Sequence, residues 1–237
     1  MSFFWKIRNC NFNVEPKNAK RMKDKYNITL NAFSNYLIKN SSRRITVVKN
    51  ICDQITNDFD PSQDYWLHLK NAISVSLSRN GLYDGIEEAV DKVPDGRKDN
   101  YFLMIEALKC WWGHKQFKKV TIRTKSWVRG KIVVSVSPEI CGVFRGHLYI
   151  IKLFLHKNED LRKDQADMMN EIMFEALKEP ITRIKDKYKD ATIGTLDVKR
   201  NKLYNFRKKP DRWMSTLLTN EASSLERMIN TYLKNEI

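Results

Sequence analysis

The residues best suited to chemistry are a single acid and a single lysine in the most basic part of the chain. Between residues 118 and 158 the sequence has nine Lys or Arg residues and one acidic residue, Glu139. A carboxylate isolated among so many cations suits a surface that holds phosphates beside one polar centre. The alternative is that Glu139 neutralises a neighbouring Lys or Arg.

Lys152 interrupts an otherwise apolar run from Leu148 to Leu155. Such a run is typical of a buried central strand, in which an unpaired lysine is costly. Alternation along a strand places Lys152 on the same face as Ile150 and Phe154. We therefore expect the ammonium group either to reach a functional cleft or to extend to the rim of a sheet.

The two residues lie in a pattern that resembles the motif of PD-(D/E)XK nucleases. Val136-Ser137-Pro138-Glu139 places an acid directly after a proline, a turn follows near Arg145-Gly146, and Ile150-Ile151-Lys152 places a lysine within the next strand. The resemblance implies that Glu139 is a metal ligand. It also implies that Lys152 is a catalytic lysine that positions or activates water.

One position departs from the family pattern, because Ile150 stands where the family has an acid two residues before the lysine. Glu106 in the preceding helix and Asp197 in Asp197-Val198-Lys199 are candidate replacements as metal ligands. Mg²⁺ or Mn²⁺ needs several oxygen ligands, so one carboxylate would hold it weakly. The resemblance, over about residues 98–200, therefore implies a nucleic-acid-binding protein with an incomplete nuclease motif, of the kind found in prokaryotic defence or mobile-element systems.

Basic residues are concentrated rather than evenly spread in a chain whose net charge is +15. Besides residues 118–158, the segment 180–213 has eleven basic and four acidic residues. Clustered charge of this kind indicates a polyanionic partner, most often nucleic acid. The phosphate contacts that we expect are Lys118, Lys119, Arg123, Lys125, Arg129, Lys131, Arg145, Lys199, Arg200, Lys202, Arg207, Lys208 and Lys209.

Aromatic residues lie among the cations of residues 199–209, where Tyr204 and Phe206 occur. One interpretation is that their rings stack on bases while the cations hold the backbone, which makes Tyr204 part of the binding site. The other is that the segment is a strand paired through Leu203 and Phe206.

The first half of the chain has helical periodicity. Apolar residues recur every three or four positions in segments 30–37, 45–55 and 66–77. Pro94-Asp95-Gly96 is a turn signal and marks a boundary. The sequence therefore predicts a helical domain over residues 1–97.

The second half changes from helical to alternating periodicity. Helices are expected over 98–112, after Asp160 and over 218–234, and strands over 120–122, 131–136, 147–155 and 191–198. This predicts an α+β or α/β domain over residues 98–237. Its order is αβββαβ, with antiparallel middle strands and a last strand reached by a helical crossover. That order is also the core of the restriction-endonuclease-like fold of the family that the motif resembles.

Several classes of protein lack their motifs here. The four histidines do not have the spacing of a zinc hydrolase, and no phosphate-binding glycine loop, dinucleotide fingerprint or serine nucleophile elbow occurs. The four cysteines form no C-x-x-C pair, which favours buried thiols in a reducing compartment. No apolar run is long enough to cross a membrane, and the N-terminus does not match a secretory signal. We therefore expect a cytoplasmic protein without a membrane partner.

Three functions are consistent with these observations. The first is a nucleic-acid-binding protein that holds the phosphate backbone and does not cut it. The second is an active nuclease that depends on Mg²⁺ or Mn²⁺ and uses Glu139, Lys152 and one of Glu106 or Asp197. The third is an interaction subunit whose basic face docks an acidic protein or a nucleoprotein complex.

Overall fold

The structure is a computed structural model that describes residues 25–56, 64–79, 85–122, 125–184, 187–188, 190–206 and 212–235. In these ranges the chain forms six α-helices: α1 Leu30–Ile38, α2 Ser41–Thr56, α3 Leu67–Arg79, α4 Asp95–Trp112, α5 Lys163–Ile184 and α6 Arg212–Asn235. A 3₁₀ turn, Glu87–Ala89, precedes α4. The same ranges contain eight strands: β1 Tyr26–Thr29, β2 Lys118–Lys119, β3 Lys125–Arg129, β4 Ile132–Val136, β5 Ile140–Phe144, β6 His147–Phe154, β7 Asp190–Asp197 and β8 Lys202–Asn205.

Three of the strands form a small mixed sheet in the order β1-β4-β3. β3 and β4 form an antiparallel hairpin in which Arg129 is paired with Ile132 across the Gly130-Lys131 turn. β1 adds to the other side of β4 in parallel, with Tyr26 opposite Ile132. The β-branched residues of β4 favour this extended conformation.

The other five strands form a larger mixed sheet in the order β2-β5-β6-β7-β8. β5 and β6 are joined by Arg145-Gly146, whose φ angles of 52° and 81° are the positive values that a type I′ hairpin turn requires. β7 is parallel to β6, and the chain reaches it through α5. β6 and β7 therefore end at the same edge of the sheet, opposite the β5–β6 turn.

Apolar side chains cover both faces of the larger sheet. On one face Ile150 and Phe154 of β6 pack in a core that includes α1, α2, α5, α6 and the small sheet. On the other face Ile151 and Leu153 pack against α3, α4 and the 3₁₀ turn. The alternation of one strand between two cores follows from the two-residue period of β-structure. Each core contains residues from both sides of position 97. The expected domain boundary there concerns whether the two parts fold independently, and it stays a prediction.

The expectation of a mixed α/β protein with antiparallel strands and a helical crossover is confirmed, but several strands differ. The N-terminal region is not all helical, because β1 pairs with β4. The strand expected at 120–122 is replaced by the two-residue β2, and the strand expected at 131–136 lies in the small sheet rather than beside β6. The place beside β6 belongs to β5, which sequence reasoning missed. No helix in the described ranges is long and apolar enough to span a membrane.

Gly142 explains why β5 was missed. A glycine within a short segment weakens the strand signal, because glycine has low strand propensity. In the structure a Cβ at position 142 would lie 3.0 Å from Phe117 Cβ. The glycine therefore lets the Phe117 side chain approach the sheet, which no pattern in the segment itself reveals.

Gly194 supports a first prediction about the sheet. A Cβ added there would lie 2.8 Å from the carbonyl oxygen of Tyr204 in β8, which is closer than real Cβ atoms come. Because that oxygen belongs to the paired backbone, we expect Gly194→Ala to lower the free energy of unfolding by about 1–3 kcal/mol. Urea denaturation followed by circular dichroism measures this change. Gly96→Ala is the matched control, because nothing lies within 4 Å of an added Cβ there, and an equal loss in both variants would contradict the prediction.

Candidate nucleic-acid interface

The structure brings Glu139, directly before β5, together with Lys152 of β6. Ile140 of β5 is paired with Ile151 of β6, so the next position along each strand places Glu139 beside Lys152. Lys152 Nζ donates a hydrogen bond to Glu139 Oε1 at 2.5 Å. The Lys152 and Glu139 side chains are only 10 % and 8 % exposed. The lysine neither opens into a cleft nor extends to the rim of the sheet, but forms a buried ion pair.

Further hydrogen-bonding groups of this pair are also occupied. Glu139 Oε2 accepts a hydrogen bond from the backbone N–H of Leu153 at 2.8 Å. Lys152 Nζ donates a second hydrogen bond to the carbonyl oxygen of Ser137 at 3.1 Å. A carboxylate that is engaged at both oxygens and paired with an ammonium group attracts a metal ion less strongly than a free one. The arrangement is that of a satisfied buried charge pair.

Polar side chains beside Lys152 form a second connected group. Thr195 of β7 is the register partner of Lys152 and donates a hydrogen bond to Asn170 Oδ1 at 2.8 Å. Asn170 of α5 donates from Nδ2 to the carbonyl oxygen of Tyr204 at 2.8 Å. The Tyr204 hydroxyl donates to the carbonyl oxygen of Leu161 at 3.2 Å. These contacts join β7, α5 and β8. Tyr204 lies in the strand β8, which is paired with β7. Its stacking on bases stays a prediction.

The two acids considered as additional metal ligands do not join Glu139. Asp197 is buried at the end of β7, where its oxygens accept hydrogen bonds from the backbone N–H groups of Leu161 and Arg200 at 3.2 and 3.3 Å. Glu106 lies on α4 with 65 % of its side chain exposed. Among the residues that the structure describes, no three His, Cys, Asp or Glu side chains are grouped so as to hold a metal ion.

A cysteine close to this pair is chemically inert. Burial raises the pKa of the Cys141 thiol to about 12, and the nearby Glu139 carboxylate acts in the same direction. Because the thiolate is the reactive form, Cys141 is not a nucleophile at neutral pH.

Some of the expected phosphate contacts are paired with acids inside the protein. The pairs are Arg129 with Glu175 at 2.5 Å, Lys125 with Glu179 at 3.6 Å and Arg200 with Asp160. A cation that is already paired attracts phosphate less strongly than an unpaired one. Asp160, after which a helix was expected, lies before α5 and contacts Arg200 in the turn after β7.

Other expected contacts lie at opposite ends of the larger sheet. Lys118 of β2 and Arg145 are at the end formed by the β5–β6 turn, which we call the hairpin end. Lys199 and Lys202 are at the other end, where β6 and β7 finish. β6 has eight residues, which makes the two ends about 25 Å apart. Among the described residues, the cations of the hairpin end are therefore separate from those of the other end, where Lys157 of the first basic segment lies beside Lys199 of the second.

The remaining basic residues of the prediction contribute differently. Lys119 Nζ donates to Ser78 Oγ at 2.6 Å, which holds it against the end of α3. Lys131 is exposed in the β3–β4 turn of the small sheet. Four further expected contacts lie outside the described residues: Arg123, Arg207, Lys208 and Lys209.

An aromatic and polar surface at the hairpin end was not identified from the sequence. On the face that α3 and α4 cover, Ile151 and Leu153 of β6 are buried, whereas Tyr149 and His147 are partly exposed. The side chains of β7 also become less buried towards the hairpin end. We call this surface the open end, and it consists of Phe144, His147, Tyr149, Asp190, Thr192 and Asn205. The signal was available in β6, where every second residue changes from aliphatic to aromatic or histidine towards the turn.

One cation lies over a ring of the open end, and a second lies over a ring outside it. The Arg145 guanidinium lies over the Phe144 ring, 5.1 Å from its centroid. On the α4 side, Lys115 Nζ lies 5.0 Å from the centroid of Trp111 and donates to the last carbonyl groups of α4. Burial lowers the pKa of Lys115. The Lys115 ammonium is thus engaged by the carbonyl groups at the end of α4, whereas Arg145 is exposed in the turn.

Comparison of the chain with protein-family models, with curated proteins and with solved structures finds no match. Function is therefore inferred from the chemistry of the described surfaces.

Proposed function

We propose that this protein binds nucleic acid at the hairpin end of the larger sheet, where Lys118 and Arg145 contact phosphates. Both residues are exposed. Within the described ranges neither has a carboxylate at ion-pair distance, unlike Arg129, Lys125 and Arg200. Unpaired surface cations attract phosphates and release the counterions condensed on them. Lys199 and Lys202 at the other end are also exposed and belong to none of these ion pairs. The observation that carries the proposal is therefore the combination of unpaired cations with the rings of the open end.

The rings of the open end favour nucleic acid over other polyanions. His147 and Tyr149 lie on the sheet face directly after the Arg145-Gly146 turn. Cations alone would attract an anionic membrane or an acidic protein equally well. Partly exposed rings beside cations add a surface on which bases stack while the cations hold the backbone.

The Glu139–Lys152 contact favours binding without cleavage. In a metal-dependent nuclease the acid holds a divalent ion and the lysine is available to water. Here the two side chains neutralise each other in a buried site, and Ile150 at the position of the missing acid is fully buried. A second carboxylate at that position would be costly in an apolar core.

For the fold, we propose that α4, the β5–β6 hairpin, α5 and β7 are a divergent restriction-endonuclease-like core. Two features support this relation. Glu139 precedes β5 and lies opposite Lys152 on β6, as the acid and the lysine of the motif do, and α5 then leads to a strand parallel to β6. On this interpretation Glu139 and Lys152 keep the charges of their motif positions, and Ile150 replaces the acid of a third.

Salt-dependent binding tests the proposed function. Fluorescence anisotropy with labelled single- and double-stranded DNA and RNA measures affinity at several salt concentrations. We expect the double variant Lys118→Gln/Arg145→Gln to bind about tenfold more weakly at 0.1 M salt, and the slope of log affinity against log salt to fall by about 1 for each cation. Circular dichroism and thermal unfolding confirm that the variant folds.

Two controls make the outcome specific. Lys199→Gln/Lys202→Gln removes the same charge from the opposite end of the sheet, and we expect it to change affinity much less. A larger effect there than at the hairpin end would overturn the location.

The same samples are incubated with Mn²⁺ and run on a gel: cleavage that disappears in Glu139→Gln would overturn binding without cleavage. Absence of binding to any nucleic acid would overturn the proposal and favour a protein partner.

A further inference from the structure

The open end has a composition and exposure that differ from the rest of its sheet face. Along β7 the side chains on this face change from buried Leu196 to partly exposed Thr192 and exposed Asp190. In β8 the exposed Asn205 lies beside Gly194 on the same face. Of the two helices that cover this face, α3 packs against β2 and β5 and α4 packs against the 3₁₀ turn. The hairpin end of β6, β7 and β8 remains partly exposed.

Two rings lie side by side on this surface. His147 and Tyr149 are two positions apart in β6 and so share a face, and their ring centroids are 4.7 Å apart. Neighbouring side chains on the same face contact both rings. Thr192 Oγ1 is 2.7 Å from His147 Nε2, and the buried Phe117 meets the Tyr149 ring edge-on at 5.5 Å between centroids. Rings held in place in this way need little ordering when a ligand stacks on them.

From these contacts we infer that the open end is a stacking surface for unpaired bases, so that the ligand is a single-stranded nucleic acid. This inference rests on the proposed function. Bases in a duplex are stacked on one another and present only their edges, whereas unpaired bases offer a flat face to Tyr149 and His147. The Asn205 amide on the same face is able to donate and accept hydrogen bonds at base edges. Arg145 at the turn then contacts the phosphates of the same strand.

One carboxylate at this surface repels the proposed ligand. Its removal is therefore expected to increase the affinity, whereas removal of a ring is expected to decrease it. Asp190 is exposed, and its Oδ2 lies 3.9 Å from His147 Nδ1. Its charge repels phosphates that approach the rings. Asp190→Asn is therefore expected to tighten binding of single strands by about two- to fivefold at low salt, since one like charge is removed within a Debye length.

The experiment compares variants of Tyr149 by fluorescence anisotropy with labelled oligo(dT), oligo(rU) and a duplex of the same length, about 12 nucleotides. The parent protein is expected to bind the single strands more tightly than the duplex. Tyr149→Leu is expected to weaken single-strand binding by about 5- to 100-fold, which is the loss of one base–aromatic stack. Tyr149→Phe keeps the ring and is expected to keep the affinity. The two oligonucleotide chemistries report whether DNA or RNA is preferred.

Tyr65→Leu is the matched control. Tyr65 is also a partly exposed tyrosine with a cation, Arg97, over its ring at 4.7 Å from the centroid. It lies before α3, whose thirteen residues separate it by about 20 Å from Ser78 and the Lys119 contact with β2. Its replacement is expected to leave single-strand affinity unchanged. Thermal unfolding of every variant separates a loss of binding from a loss of folding.

The outcomes distinguish this inference from the proposed function. If Tyr149→Leu folds and binds single strands like the parent, while Lys118→Gln/Arg145→Gln binds weakly, the stacking surface is overturned and phosphate binding stands. A parent protein that prefers the duplex also overturns the stacking surface. If Tyr149→Leu fails to fold, unchanged affinity of Asp190→Asn overturns it instead. If no nucleic acid binds, both are overturned.

Discussion

Glu139→Ala is expected to lower the free energy of unfolding by about 3–5 kcal/mol, the usual cost of removing one partner of a buried ion pair. The change leaves the Lys152 ammonium without its counter-charge in a site where only 10 % of the lysine side chain is exposed. It also removes the acceptor of the Leu153 N–H group. Urea denaturation followed by circular dichroism gives the difference directly.

The same pair supplies the controls. Glu139→Leu/Lys152→Met removes both charges, and we expect it to recover most of the loss, because apolar replacements of a buried ion pair are often neutral or stabilising. The exposed pair of Lys163 and Asp167 is the surface comparison, where Asp167→Ala is expected to cost less than about 1 kcal/mol. A Glu139→Ala protein as stable as the parent would show that the pair is not structural and would favour the nuclease hypothesis.

The sequence best predicted the elements whose apolar pattern repeats several times within one segment. The helices α1 and α2 and the strands β6 and β7 follow from their periodicity, because their buried faces repeat within each segment. It was least informative for short strands. β1 and β5 have four and five residues and are strands because of the partner beside them rather than because of their own pattern.

The candidate site shows the same division. The Glu139–Lys152 contact was predictable in outline, since a lysine inside an apolar strand needs a partner and Glu139 is the single acid among residues 118–158. Which cations are free was not predictable. Arg129 and Arg145 have the same chemistry in the same basic segment, but Arg129 meets Glu175 of α5, 46 positions away. Partners so distant in sequence are set by the packing of helices, which composition does not encode.

Glu175 is the centre of a network that joins three elements. Its Oε2 accepts hydrogen bonds from Trp127 Nε1 at 2.6 Å and from Arg129 at 2.5 Å. Its Oε1 accepts one from the hydroxyl of Ser215 at 2.7 Å. Arg129 also lies over the Trp127 ring, 4.6 Å from its centroid. Since Trp127 is in β3, Glu175 in α5 and Ser215 in α6, one carboxylate holds the small sheet between two helices.

Glu175→Ala is therefore expected to lower the free energy of unfolding by about 2–3 kcal/mol, because it leaves the buried indole N–H of Trp127 without an acceptor and Arg129 without its counter-charge. The cost is below that of Glu139→Ala because Glu175 and Arg129 are 21 % and 33 % exposed and water partly replaces the lost contacts. Glu175→Gln keeps an acceptor and should lose less.

Arg129→Met separates the structural role of Arg129 from a role in binding. It keeps a long side chain against Trp127 and removes the charge, so it is expected to lower the urea midpoint while leaving affinity for single-stranded nucleic acid unchanged. Arg145→Gln should do the opposite, weakening binding with little effect on the midpoint, because its side chain is exposed in a turn. If Arg129→Met weakened binding as much as Arg145→Gln, Arg129 would contact phosphates despite its ion pair with Glu175. The interface would then extend from the hairpin end across β3, and the assignment of paired cations to packing would be wrong.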